Sequence, residues 1–138
     1  MIIIIRIAGE INISKDIAEL LHRMRLRRKY SAVLIHPTAE TKFILKKLRD
    51  FVAYGEISQE MLKELIEKRA QPLGKKKIDI ASTIEKLETK KLDSLDIKPF
   101  FRLHPPRKGI DSKLHFPIKK GVLGDNGEKI NDLLRRML

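Results

Sequence analysis

The run IIIIRI at residues 2–7 packs five isoleucines and one arginine into six positions. β-Branched side chains favour extended backbone, and so continuous an apolar run suits a strand buried over most of its length. A chain that starts this way needs apolar cover for that strand, and the patterning that follows is organised to supply it.

Gly9 permits a turn after the run. Ser14 is a suitable N-cap with Asp16 in the first turn, and Ile17, Leu20, Leu21 and Met24 recur at helical spacing. SAVLIHP, residues 31–37, reads as a second strand closed by Pro37, with Thr38 and Glu40 opening the next helix. The inner stripe of that helix is Thr41, Ile44, Leu45 and Leu48. FVAYGE, residues 51–56, is a third strand, and Ser58 opens a helix with Met61, Leu62, Leu65 and Ile66 inward. The alternation is therefore β-α-β-α-β-α.

QPLGKKK, residues 71–77, marks a loop or boundary, and a weaker helical pattern follows through Ile80, Ile84, Leu87 and Leu92. Past Pro99 the periodicity fades, and residues 98–138 carry ten Lys plus Arg against four Asp plus Glu. This stretch reads as a basic, partly irregular appendage rather than core. It recovers a pattern only at its end: Asp125 and Glu128 stand at capping-box spacing, and Ile130, Leu133, Leu134 and Met137 form the stripe of a short helix expected to dock on the body. The divisions expected are 1–57, 58–97 and 98–138.

Thirty Lys plus Arg against eighteen Asp plus Glu give a formal charge of +12 and a pI near 10.0. Such a chain repels itself unless a polyanion neutralises it, which makes nucleic acid the leading class of partner. An anionic membrane surface is a weaker match, and no apolar stretch approaches the roughly 20 residues needed to span a bilayer. The opening run is also too short for a signal h-region and has no basic residue ahead of it, so a cytosolic protein is expected. With no cysteine, disulfides, thiolate metal sites and cysteine nucleophiles are excluded. Aromatics at 5% and no tryptophan leave little for an extended base-stacking platform, so binding by charge and shape is expected.

The sharpest candidate is HRMRLRRKY, residues 22–30, where Arg23, Arg25, Arg27, Arg28 and Lys29 fill five of seven positions. Guanidinium forks grip phosphate in pairs of hydrogen bonds, and this density exceeds what capping a helix C-terminus requires. Lys75, Lys76 and Lys77 form a second patch, and Lys119 and Lys120 a third, both less specific because ammonium groups act as point charges.

FFRLHPPRKG, residues 100–109, combines Arg102, Arg107 and Lys108 with Pro105 and Pro106. The prolines fix two φ angles and remove two donors, which yields an extended, pre-ordered strap. Phe100 and Phe101 are expected to anchor it by burial rather than to stack on bases. His104 and His115, with Asp111 between them, fall short of a metal site, since no third ligand cluster converges there. His22 and His36 lack a nucleophile or an orienting carboxylate, so no catalytic residue is assigned and no cofactor is expected. GVLGDNG, residues 121–127, lacks the Gly-Lys-Ser/Thr ending of a phosphate loop and reads as a turn feeding a cap.

Taken in order, IRIAGEINIS, LHRMRLRRKY, FVAYGEIS, LKELIEKRA, FRLHPPRKG and INDLLRRML resemble the large-subunit ribosomal protein family L-thirty, in the longer archaeal form called L-seven in eukaryotes. The pieces cover most of the chain. The resemblance implies an α+β, ferredoxin-like β-α-β-α-β core, with a small antiparallel sheet backed by two helices. Additional helices and an extension lying along ribosomal RNA would follow. It also implies that Leu26, Arg27 and Arg28 face RNA, and that the partners are large-subunit ribosomal RNA, with 5S RNA a further candidate, and neighbouring ribosomal proteins. Residues 75–98 depart most from the family pattern, being shorter and richer in lysine.

A non-catalytic constituent of the large ribosomal subunit is the function expected. A DNA or chromatin architectural protein would share the charge. A small RNA-modifying enzyme would need an acid, base or metal site that the residues do not display.

Overall fold

The structure is a computed structural model that describes residues 1–7, 13–72, 80–87, 97–98, 100–107, 109, 112–115 and 121–138. The proposed turn at Gly9, the lysine loop, Asp111 and Leu92 lie outside the described residues. The ordered elements are strands β1 (Ile2–Arg6), β2 (Ser31–Ile35), β3 (Val52–Glu56), β4 (Phe101–Arg102), β5 (Ser112–His115) and β6 (Gly121–Asp125). The helices are α1 (Lys15–Arg23), α2 (Ala39–Leu48), α3 (Gln59–Arg69), α4 (Ile80–Leu87) and α5 (Ile130–Met137).

The first three helices begin where their local chemistry dictates. The Ser14, Thr38 and Ser58 hydroxyls accept from the backbone N–H of Ile17, Thr41 and Met61 at 3.4, 3.2 and 3.3 Å. Each satisfies one of the donors that a helix start leaves without an intrahelical partner.

β1 lies between β2 and β3, antiparallel to both, with Ile4 opposite Val33 on one side and Tyr54 on the other. Successive side chains of a strand alternate between faces. Ile2 and Ile4 therefore enter one core with Leu21 of α1, Leu45 and Leu48 of α2, Leu26, Val33 and Val52. Ile3, Ile5 and Ile7 enter another, with Met61, Leu62, Leu65 and Ile66 of α3 and Ile130, Leu133, Leu134 and Met137 of α5. A strand covered on both faces has no polar alternation, which is why its sequence is isoleucine nearly throughout.

The α+β core with its antiparallel β2-β1-β3 centre backed by α1 and α2 is the expected one. The complete sheet is larger and mixed, in the order β4-β2-β1-β3-β6-β5. Two readings of the C-terminal segment are corrected. The segment expected as an appendage contributes β4 and β6 to the sheet, and the wholly buried Phe101, Ile130, Leu134 and Met137 to the second core. Residues 121–125, read as a turn, form β6, which runs parallel to β3 with Ala53 opposite Gly124 and Tyr54 opposite Asp125. Gly121 and Gly124 conceal that strand from propensity, and the edge of β3 supplies the partner.

The start of α5 also differs from expectation. Asp125 Oδ1 accepts from the Gly127 N–H at 2.9 Å and supports a 3-10 turn, Gly127–Lys129, instead of capping α5 directly. Glu128 falls within that turn, and Asn131 joins it to the β3–α3 corner. Its Oδ1 accepts from Ser58 N–H at 2.9 Å, while its amide donates to the carbonyls of Glu128 at 2.7 Å and Glu56 at 3.3 Å.

Candidate nucleic-acid interface

α1 ends in the double hydrogen bond of a Schellman motif: Leu26 N–H donates to Leu21 O at 2.9 Å, and Arg25 N–H to His22 O at 3.0 Å. Leu26 and Leu21 are both fully buried, supplying the apolar contact that accompanies this motif. The position between helix and Leu26 must be left-handed, and Arg25 occupies it at φ 65° where glycine is usual. Tyr30 closes the loop in the same region at φ 63°. Non-glycine residues held there cost free energy that surrounding contacts must offset.

Those contacts come from β1. Arg6, 1% exposed, donates from Nη1 to the Leu26 carbonyl at 2.7 Å, and its own carbonyl accepts from Tyr30 N–H at 2.7 Å. With Leu26 drawn inward, Arg25, Arg27, Arg28 and Lys29 are left exposed on a loop tied at both ends.

β4 brings the second half of the site. Ser31 pairs with Arg102 and Ala32 with Phe101, so the start of FFRLHPPRKG lies directly beside the arginine loop. Between them runs a groove of about 540 Å³ lined by Arg25, Arg27, Arg28, Ser31, Lys98, Phe100 and Arg102. Among the described residues in its wall, five are cationic and none is acidic. Its charge and openness to solvent suit the phosphates of a nucleic-acid backbone.

The structure thus unites Arg25, Arg27, Arg28 and Arg102, which lie far apart in the chain. Arg23 and Lys29 are exposed beside this group, on the last turn of α1 and in the loop, without lining the groove. Arg107 goes elsewhere: its N–H donates to Arg136 O at 3.0 Å, and Arg136 Nη1 donates back to Arg107 O at 3.4 Å and Gly109 O at 3.2 Å. Lys75, Lys76, Lys77, Lys108, Lys119 and Lys120 lie outside the described residues, as does the His115 side chain. Lys98 escaped the sequence reading, because a lone lysine before Pro99 carries no signal until the fold sets it beside the arginines.

The strap itself serves α5 as well. His104 N–H donates to Met137 O at 2.9 Å and Arg107 N–H to Arg136 O, satisfying carbonyls at the helix end that lack an intrahelical donor. Pro105 and Pro106, which have no N–H to offer, fall between these two donors. The two phenylalanines also differ: Phe101 is wholly buried as expected, whereas Phe100 is half-buried with its ring in the groove wall. Among the described residues no three His, Asp or Glu side chains converge as metal ligands, and no helix is long and apolar enough to cross a membrane.

No family model matches the chain. Full-length relatives do. The large ribosomal subunit protein uL30 of Methanobrevibacter smithii is 37% identical over 153 aligned residues, covering all of both chains. That of Pyrobaculum islandicum is 37% identical over 98% of this chain and 92% of its own, and that of Archaeoglobus fulgidus 35% identical over 99% of each. Each of these relatives is, by its name, a protein of the large ribosomal subunit. Identity at this level along the whole length, together with the β-α-β-α-β core, establishes that the chain belongs to the large ribosomal subunit protein uL30 family.

Proposed function

We propose that this chain is a non-catalytic constituent of the large ribosomal subunit that binds ribosomal RNA by neutralising phosphates from a preformed groove. It would act on the ribosome in the cytoplasm. The observation that carries the reading is the convergence of Arg25, Arg27, Arg28, Lys98 and Arg102 on one groove without an opposing carboxylate among its described lining. Each phosphate neutralised releases condensed counterions, so affinity arises largely from charge and declines steeply with salt. The rigid attachment of the loop to Arg6 fixes the spacing of the cations before RNA arrives, and this lowers the ordering entropy of binding.

The test is a salt titration of binding to large-subunit ribosomal RNA, with 5S RNA and duplex DNA measured alongside. Replacing Arg27 and Arg28 by Ala should reduce the slope of log affinity against log salt by about one unit per lost phosphate contact. An unchanged slope defeats the assignment of the arginines, and equal affinity for duplex DNA and ribosomal RNA favours an architectural DNA-binding protein.

A further inference from the structure

Phosphate binding accounts for the cations of the groove but does not call for the part of an aromatic ring that lies in its wall. The face of an aromatic ring carries partial negative charge and is apolar, so it offers nothing to a phosphate. Yet Phe100 is in the wall, one residue before a phenylalanine that is completely buried. Phe100 stands at a bend immediately before β4, and while Phe101 enters the core shared with α3 and α5, Phe100 packs at the margin of the other core and reaches the groove.

The Arg102 guanidinium carbon stands 5.8 Å from the centroid of the Phe100 ring. That is within cation–π reach, about 6 Å, so ring and guanidinium stand together in the groove wall. The cavity, about 540 Å³, lies in the size range of small-ligand sites, roughly 300–1,000 Å³. A planar group flanked by phosphates and stacked on an aromatic ring beside arginine describes one nucleotide whose base is out of its helix.

We propose that Phe100 and Arg102 form a subsite for a single unpaired nucleobase, which stacks on the Phe100 ring while Arg25, Arg27 and Arg28 hold the phosphates on either side of it. This rests on the RNA-binding reading of the groove and refines it: the target is a bulge, loop or end, because a base within a continuous duplex is unavailable for stacking on protein.

The probes are a hairpin RNA with one bulged 2-aminopurine and the same hairpin with the bulge deleted. The full-length protein should bind the bulged hairpin more tightly, by a factor of roughly 10 for one stacked base, and should change the 2-aminopurine emission. Phe100→Leu should narrow the ratio of the two affinities towards one, and Phe100→Trp should preserve it. Because the chain has no tryptophan, the introduced indole is a unique reporter, which the bulged hairpin should quench more than the continuous one. Equal affinity of the unaltered protein for both hairpins, with unchanged 2-aminopurine emission, overturns the proposal without needing any variant. If Arg27→Ala with Arg28→Ala weakens both complexes while Phe100→Leu leaves the ratio unaltered, stacking alone is refuted. If the arginine variant weakens neither, the groove reading fails, and the base subsite with it.

Discussion

The guanidinium of Arg6 donates to the Leu26 carbonyl at 2.7 Å, joining the central strand to the loop that presents the arginines. A buried cation is costly unless its donors are used, and Arg6 uses this one to hold an otherwise strained turn. Replacing it with Met should cost about 1.5–3 kcal/mol, the range for a hydrogen bond to a charged group. Urea denaturation measures the loss, and RNA affinity should decline with it because the loop loses its tie from Leu26 to β1.

Arg25 places a functional demand and a stability demand in opposition. A Cβ in left-handed backbone costs about 1–2 kcal/mol, and glycine returns about 0.4–1 of this through greater freedom of the unfolded chain. Arg25→Gly should therefore stabilise the protein by about 0.5–1 kcal/mol in thermal denaturation while weakening RNA binding and flattening its salt dependence. A variant both less stable and weaker in binding would contradict the Schellman assignment.

Gly55 on β3 permits the 3-10 turn and α5 to approach the sheet. A Cβ there would collide with the Gly127 carbonyl oxygen and lie 2.8 Å from Ile130 Cγ2. Backbone cannot yield as a flexible side-chain tip does, so Gly55→Ala should lower stability by about 1–3 kcal/mol, read from the denaturation midpoint. The substitution is remote from the arginine loop in sequence and should leave the salt slope of RNA binding unchanged once the protein is folded.

Tyr54 reports on the β3–β6 pairing. Burial raises its hydroxyl pKa above the ordinary 10.0, the Asp125 carboxylate adds to the shift, and Arg49 opposes it. Because the folded state holds this proton more tightly than the unfolded state, the stabilisation is complete below pH 10 and is lost as pH rises from there through the folded-state pKa. Ultraviolet titration should show one tyrosine ionising later than a free phenol, and Tyr54→Phe should remove that phase. Asp125→Asn should advance it to lower pH.

Much of the core could be read directly from residues 1–69, because helix caps and apolar periodicity are local properties. Ser14, Thr38 and Ser58 cap as their positions imply, and Met61, Leu62, Leu65 and Ile66 are all buried. The density of arginine at 23–28 likewise announces itself through composition. What lay beyond reach is whatever depends on a distant partner. Residues 121–125 become a strand because β3 offers an edge, and the segment taken as an appendage becomes part of the core because α5, whose docking on the body was expected, joins α3 over the face of β1 that α1 and α2 leave bare. Arg102 joins Arg27 and Arg28 only through the pairing of Ser31 with Arg102, and Phe100, at the bend before β4, parts from Phe101 by packing against the other core. Local preference therefore specified the individual elements and the charge, whereas long-range strand pairing and two-sided burial assembled them into a groove.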